Sequence, residues 1–208
     1  MKVRAYKVLE GLILFVVIPL SFMINYSIWL KLGLGVIGFL YVVYVLTVVE
    51  KLPLNISKHL NWHLFLKQTL IKFLLIALLT TFFIWFTNKE LLFFVVLNKP
   101  KLWLMILFIY TVFSVYPQEI LYRTFFFYRY ETLVKSKIGF VLLNAALFTL
   151  GHLFFKNNLV LVLTFIGGLL FAGTYQKTRS TLLVSIEHTI YGCWLFTVGM
   201  GNILGFPS

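Results

Sequence analysis

The sequence predicts an all-α fold: a polytopic bundle of seven to eight transmembrane helices that forms a single membrane domain over residues 1–208. Apolar residues make up 61% of the chain and charged residues only 12%, about half the charged fraction of a soluble domain. Apolar runs long enough to cross a bilayer follow one another along the chain. Because a soluble fold cannot bury this much apolar surface, the predicted solvent is lipid.

Seven apolar runs account for the predicted spans. They cover residues 8–23, 28–49, 69–87, 102–130, 138–155, 159–175 and 181–203. Basic residues precede the first run, as in a signal peptide, but no convincing small-residue cleavage site follows it. This run is therefore interpreted as an uncleaved span. An eighth span forms if the apolar stretch 91–97 also inserts.

The segment 51–67 interleaves apolar and polar residues, which predicts a short helix on the membrane surface. His59 and His63 within it have i,i+4 spacing that suits metal chelation, but no third ligand is nearby. The single cysteine, Cys193, excludes an internal disulfide.

The net charge of +12 comes from 18 Lys and Arg against six acidic residues. Most of the basic residues lie between apolar runs, which predicts contact with anionic lipid head groups and no nucleic-acid partner. Their bias between loops predicts an inside N-terminus and, with seven spans, an outside C-terminus. The expected location is multi-pass in a bacterial cytoplasmic membrane.

Five ionisable residues within the last spans are candidates for a site, because each such residue inside an apolar run costs a few kcal/mol. They are Glu119, Arg123, His152, Glu187 and His188. Glu119 and Arg123 have i,i+4 spacing, so a purely structural ion pair is one interpretation. Two histidines on separate spans beside a carboxylate favour the other interpretation, an acid/base site.

The hairpin around Lys135 predicts that two of these side chains meet. Glu119 lies 16 residues before Lys135 and His152 lies 17 residues after it. If both arms are helical, the two residues reach a similar depth and can face each other. Small residues favour close packing of the last spans, and they include Gly167, Gly168, Ala172 and Gly173.

Three segments resemble the motifs of one family, the CPBP intramembrane proteases, which include CAAX prenyl proteases and bacteriocin-processing enzymes and are also called the Abi family. QEILYR, residues 118–123, resembles the EExxxR motif, and FTLGH, residues 148–152, resembles FxxxH. His188 resembles the histidine of the third motif. The resemblance covers about residues 102–201. Residues 101–203 are therefore interpreted as the motif-bearing core and residues 1–100 as scaffold.

The resemblance implies a glutamic-type intramembrane endopeptidase that needs no metal or other cofactor. A carboxylate and a histidine activate water, and a second histidine with an amide stabilises the oxyanion. Glu119, His152 and His188 carry over as catalytic residues, with Arg123 in support.

Two positions depart from the family pattern. Gln118 replaces the glutamate that activates water, and Gly192 replaces the Asn or Asp that helps to hold the oxyanion. Glu119 must then act as the base, or Glu187 must help; Glu187 points about 100° away from His188 on a helix, which favours Glu119. Gln118 retains an amide that could contact the water or the oxyanion.

The implied substrate is a membrane-associated or lipidated peptide or protein. Two altered motif positions favour an alternative, a catalytically inactive member that acts as scaffold, immunity or regulatory protein. A transporter or channel is a third reading, disfavoured because the ionisable residues cluster at one level. Two histidines and one glutamate also form a known zinc set, so zinc stays a minor alternative.

Overall fold

A computed structural model describes residues 2–52 and 61–205, and helices make up nearly all of them, with no β-strand in these ranges. The predicted all-α membrane bundle is thereby confirmed. The helices are α1 at residues 2–21, α2 at Ile28–Val49, α3 at Trp62–Thr87, α4 at Phe94–Asn98, α5 at Pro100–Leu133, α6 at Lys137–Leu150, α7 at Asn158–Thr178 and α8 at Thr181–Val198.

Six of these helices are long and apolar enough to cross a membrane, with α6 counted to Phe155. Helix α1 is not among the six, because Lys2, Arg4, Lys7 and Glu10 charge its first half. The stretch 91–97 forms a short turn and the five-residue α4. Five residues rise only about 7.5 Å, so this stretch does not supply an eighth span across about 30 Å of hydrocarbon.

The predicted surface helix at 51–67 is only partly within the described residues. Residues 62–67 are the first turns of α3, which begins after Asn61; the Asn61 side chain caps it by accepting from the Leu64 N–H at 3.0 Å. This part is therefore continuous with a spanning helix and not a separate surface helix. The His59 partner of the proposed chelating pair lies outside the described residues.

Aromatic rings fill the interior where α1 meets α5. Phe15 is fully buried, and its ring meets those of Phe126 and Tyr122 at centroid distances of 5.1 and 5.3 Å. Phe125 and Phe127 are also fully buried on α5. Because lipid tails are as apolar as these rings, close packing is what holds such helices together.

A polar network joins α1, α2 and α5 towards one end of the bundle. The Arg129 Nε of α5 donates to Glu10 Oε2 of α1 at 2.8 Å, and a second guanidinium nitrogen pairs with Glu50 at the end of α2. Tyr41 and Tyr130 also donate to Glu10, at 2.5 and 2.9 Å. The contacts place the middle of α1, at Glu10, beside the ends of α2 and α5.

The α7–α8 turn lies at this same end. Its Arg179 makes a two-point contact with Glu131, just beyond the network, at 2.8 and 2.6 Å. This ion pair raises the pKa of Arg179 above its ordinary value. The inner basic loops predicted from the charge bias are thus gathered at one end.

Helices α6 and α7 approach closely at Gly168. A Cβ placed there would lie 3.0–3.3 Å from Ala145 backbone and side-chain atoms, whereas one at Gly173 meets nothing within 4 Å. We expect Gly168→Ala to lower the free energy of unfolding by about 1–3 kcal/mol. Gly173→Ala, the matched control, should raise it by up to about 1 kcal/mol through helix propensity.

Thermal unfolding of both variants in one detergent measures the difference. Equal melting temperatures would show that the α6–α7 contact at Gly168 does not constrain the bundle.

Candidate active site

The motif-bearing helix α5 is not a regular α-helix. Two π-helical segments, Tyr110–Val115 and Ile120–Phe125, flank the α-helical turn Tyr116–Glu119. Pro117 lacks an N–H, and its ring clashes with the carbonyl four residues earlier in a regular helix, which accounts for the wider turn before it. Gln118 and Glu119 therefore lie between two π-helical segments, and such segments are common at functional sites.

Glu119 of α5 is fully buried and binds His188 of α8. The Glu119 Oε1 to His188 Nδ1 distance is 2.7 Å. A carboxylate only accepts, so Nδ1 carries a proton, and in the neutral form of the ring Nε2 then holds the free lone pair. The Phe171 ring stacks on the imidazole at 4.2 Å between centroids, which fixes its plane.

Arg123 is fully buried one turn below Glu119. Its Nε lies 3.4 Å from Glu119 Oε2, a charge contact and not a bidentate pair. One terminal nitrogen donates to Asn144 Oδ1 of α6 at 2.7 Å, and the Asn144 amide donates to the Tyr122 carbonyl, also at 2.7 Å. Arg123 is thus held by α6 and leaves Glu119 Oε1 to His188.

His152 follows the end of α6, and its Nδ1 donates to the Phe148 carbonyl at 2.7 Å. Its Nε2 is therefore also the unprotonated nitrogen of a neutral ring. The Phe148 ring lies 4.6 Å from the His152 ring and 5.9 Å from the His188 ring. The Arg123 guanidinium lies 4.8 Å from the centre of the Phe148 ring. Phe148 therefore lies next to three of the predicted site residues, His152, His188 and Arg123.

His152 and His188 line one cavity of about 350 Å³. Most of its wall is apolar, from residues that include Phe154, Phe155, Leu163, Leu170, Leu195 and Phe196. Glu119 lies behind His188 and is not part of the wall; no described lining residue is a carboxylate. A few polar groups in an apolar cavity of this size are typical of a site for an apolar ligand.

Gln118 and Gly192, the two altered motif positions, also line the cavity. The Gln118 Nε2 donates to Ser114 Oγ at 2.8 Å. Its Oε1 is buried and accepts from no residue in the described ranges. A donor from outside these ranges, such as a water molecule, would satisfy this oxygen.

Glu187 faces away from the cavity and binds Lys72 of α3. The Tyr191 hydroxyl donates to the same carboxylate oxygen at 2.9 Å. The Lys72 ammonium also lies 3.4 Å from the Thr174 hydroxyl. The structure thus places Glu187 in a polar contact between α3 and α8, apart from the two imidazoles.

Two further residues were not predicted from the sequence: Asn144 of α6, which holds Arg123, and Lys72 of α3, which binds Glu187. Each is a polar residue inside an apolar run, and that is the signal that could have identified it.

The site does not fit zinc as arranged. No three His, Cys, Asp or Glu side chains converge as metal ligands within residues 2–52 and 61–205. Glu119, the carboxylate of the candidate set, instead accepts the His188 Nδ1–H at 2.7 Å. Each imidazole keeps only Nε2 for a ligand.

Comparison with known proteins concerns the C-terminal half. Residues 100–194 match the family described as type II CAAX prenyl endopeptidase Rce1-like. No curated protein and no solved structure matches the chain. The matched segment runs from the start of α5 into α8 and contains Glu119, His152 and His188. The resemblance predicted from the three motifs is confirmed: residues 100–194, a little under half of the chain, match the Rce1-like family of type II CAAX prenyl endopeptidases.

Proposed function

We propose that this protein is an intramembrane endopeptidase that hydrolyses a peptide bond of a membrane-associated or lipidated substrate. The observation that carries the proposal is the Glu119–His188 hydrogen bond beside a cavity shared with His152. The family match supports a protease.

Water activation falls to His188, with Glu119 acting through it. Glu119 accepts the Nδ1–H, which holds the tautomer whose Nε2 takes a proton and stabilises the imidazolium that forms. Nε2 removes a proton from water, and the water oxygen attacks the scissile carbonyl carbon. The C–N bond then breaks, and the leaving nitrogen takes the proton back from Nε2.

His152 and Gln118 position the water. We assign the water contact to His152 Nε2 and to Gln118 Oε1, which accepts from no described residue. Both residues line the cavity, and two acceptors orient the attacking oxygen. Arg123 helps to hold Glu119 in place through its 3.4 Å charge contact. No metal or other cofactor takes part in this scheme.

The apolar wall supports a lipidated or apolar substrate. A cavity of about 350 Å³ with aromatic and aliphatic lining suits a lipid chain or apolar side chains beside the scissile bond. A prenylated CAAX peptide combines both features. The basic end of the bundle suits anionic lipid head groups, and a bacterial cytoplasmic membrane belongs to the same proposal.

The test is proteolysis by the purified protein in phosphatidylethanolamine–phosphatidylglycerol vesicles. One probe is a peptide with S-farnesylcysteine followed by three residues, and the other is a peptide with one transmembrane helix. We expect cleavage of a lipid-embedded probe by wild type, and a loss of about 100- to 10,000-fold in kcat for His188→Ala. The same farnesyl probe without its lipid should be cleaved far more slowly.

A second function is favoured by one observation, that no carboxylate of the described residues faces the cavity. An inactive member acting as scaffold, immunity or regulatory protein would bind such peptides without cutting them. Binding of the farnesylated probe with no proteolysis establishes this function and excludes the peptidase. Activity that 1,10-phenanthroline abolishes and zinc restores would instead establish the zinc alternative.

A further inference from the structure

The space above Gly192 is filled by another side chain of the cavity. Gly192 lies one turn after His188 on the same face of α8. A Cβ built on Gly192 would overlap the hydroxyl oxygen and two ring carbons of Tyr110 from α5. The phenol therefore occupies the volume that any side chain at position 192 would need.

Two ring contacts hold the Tyr110 phenol in this place. Its ring is nearly perpendicular to the His188 imidazole, with 6.0 Å between centroids. On the other side it packs edge-to-face against Phe196 at 4.8 Å. Tyr110, His188 and Gln118 line the same cavity, so the Tyr110 side chain shares that cavity with the group that activates water in the proposed reaction.

We propose that Tyr110 is a catalytic residue whose hydroxyl donates to the oxyanion. The inference rests on the proposed function. When water attacks, the carbonyl π pair moves onto oxygen, and the phenol O–H stabilises that charge. It releases the contact when the carbonyl re-forms and the C–N bond breaks. A phenol is a neutral donor at pH 7, and a preorganised donor in a site with little water is effective.

The competing role for Tyr110 is purely structural: its ring would fill the space that the missing side chain of Gly192 leaves, and its hydroxyl would take no part in the reaction. The two roles differ in the hydroxyl alone, because Phe retains the contacts with His188 and Phe196. Tyr110→Phe therefore separates them. Tyr116→Phe is the matched control, since Tyr116 lies on the same helix, is half exposed and does not line the cavity.

The experiment measures kcat, KM and melting temperature for each variant in the vesicles and with the farnesylated probe described above. We expect Tyr110→Phe to lower kcat about 100- to 1,000-fold, with KM within about threefold and an unchanged melting temperature. Tyr116→Phe should match wild type. Tyr110→Ala opens room at position 192, and adding Gly192→Asn to it should raise kcat at least about tenfold by restoring one donor.

The outcomes separate this proposal from the proposed function. If Tyr110→Phe keeps the wild-type kcat, or changes only KM, while His188→Ala is inactive, the oxyanion role is wrong and the peptidase stands. A folded double variant no faster than Tyr110→Ala also contradicts the role. If wild type cleaves neither probe, both proposals fail.

Discussion

Glu119→Gln is expected to lower kcat by about 1,000- to 10,000-fold with little change in KM. The amide keeps the size of the side chain but can present an N–H to His188, which favours the tautomer with the proton on Nε2. That ring can no longer take a proton from water. Steady-state cleavage of the farnesylated probe in vesicles measures the loss.

Glu187→Gln is the matched control, because Glu187 is also fully buried and precedes His188 in the chain. Its carboxylate binds Lys72 and Tyr191 and does not contact the imidazole. We expect a lower melting temperature and a kcat within about threefold of wild type, since no group of the proposed reaction is altered. Equal kcat for the two variants would contradict the assignment of Glu119.

Arg129→Ala is expected to lower the free energy of unfolding by about 3–5 kcal/mol, the cost of leaving a buried charge without its partner. Glu10 is 6% exposed and would keep only its tyrosine donors. Helices α1 and α2 would lose their common anchor on α5. Thermal unfolding in a single detergent measures the change.

Arg179→Ala provides the control for Arg129. It removes a two-point ion pair with Glu131 whose side chains are 48% and 35% exposed, and such pairs contribute about 0–1 kcal/mol. A large difference between the variants supports residues 1–100 as a scaffold for the motif-bearing core. Similar melting temperatures would count against that division.

The sequence sufficed for the parts of the fold that depend on composition and spacing. The excess of apolar residues predicted a helical membrane bundle, and the three motifs predicted the family of residues 100–194. Distances from Lys135 along two helices predicted that Glu119 and His152 reach a similar depth. In the structure His152 contacts the Phe148 ring, and Glu119 contacts Arg123 and His188, whose side chains also lie next to that ring.

What the sequence did not reveal depends on the rotation of each helix about its axis. Hydropathy is nearly uniform around a lipid-embedded helix, so it did not show that Glu187 faces Lys72 or that Arg123 faces Asn144. The number of spans stays a prediction. It depends on whether α1 crosses the membrane with its charged first half, in which Glu10 pairs with Arg129, a partner distant in sequence.

The π-helical segments make the site sensitive to insertions and deletions in a way that hydropathy does not record. Each wide turn holds one residue more than an α-turn. Deleting one residue from 111–114 would let that turn revert to α geometry and rotate what precedes it by about 100° relative to Glu119. The span would still be long and apolar, yet Tyr110 and the Glu119–His188 pair would no longer share a face.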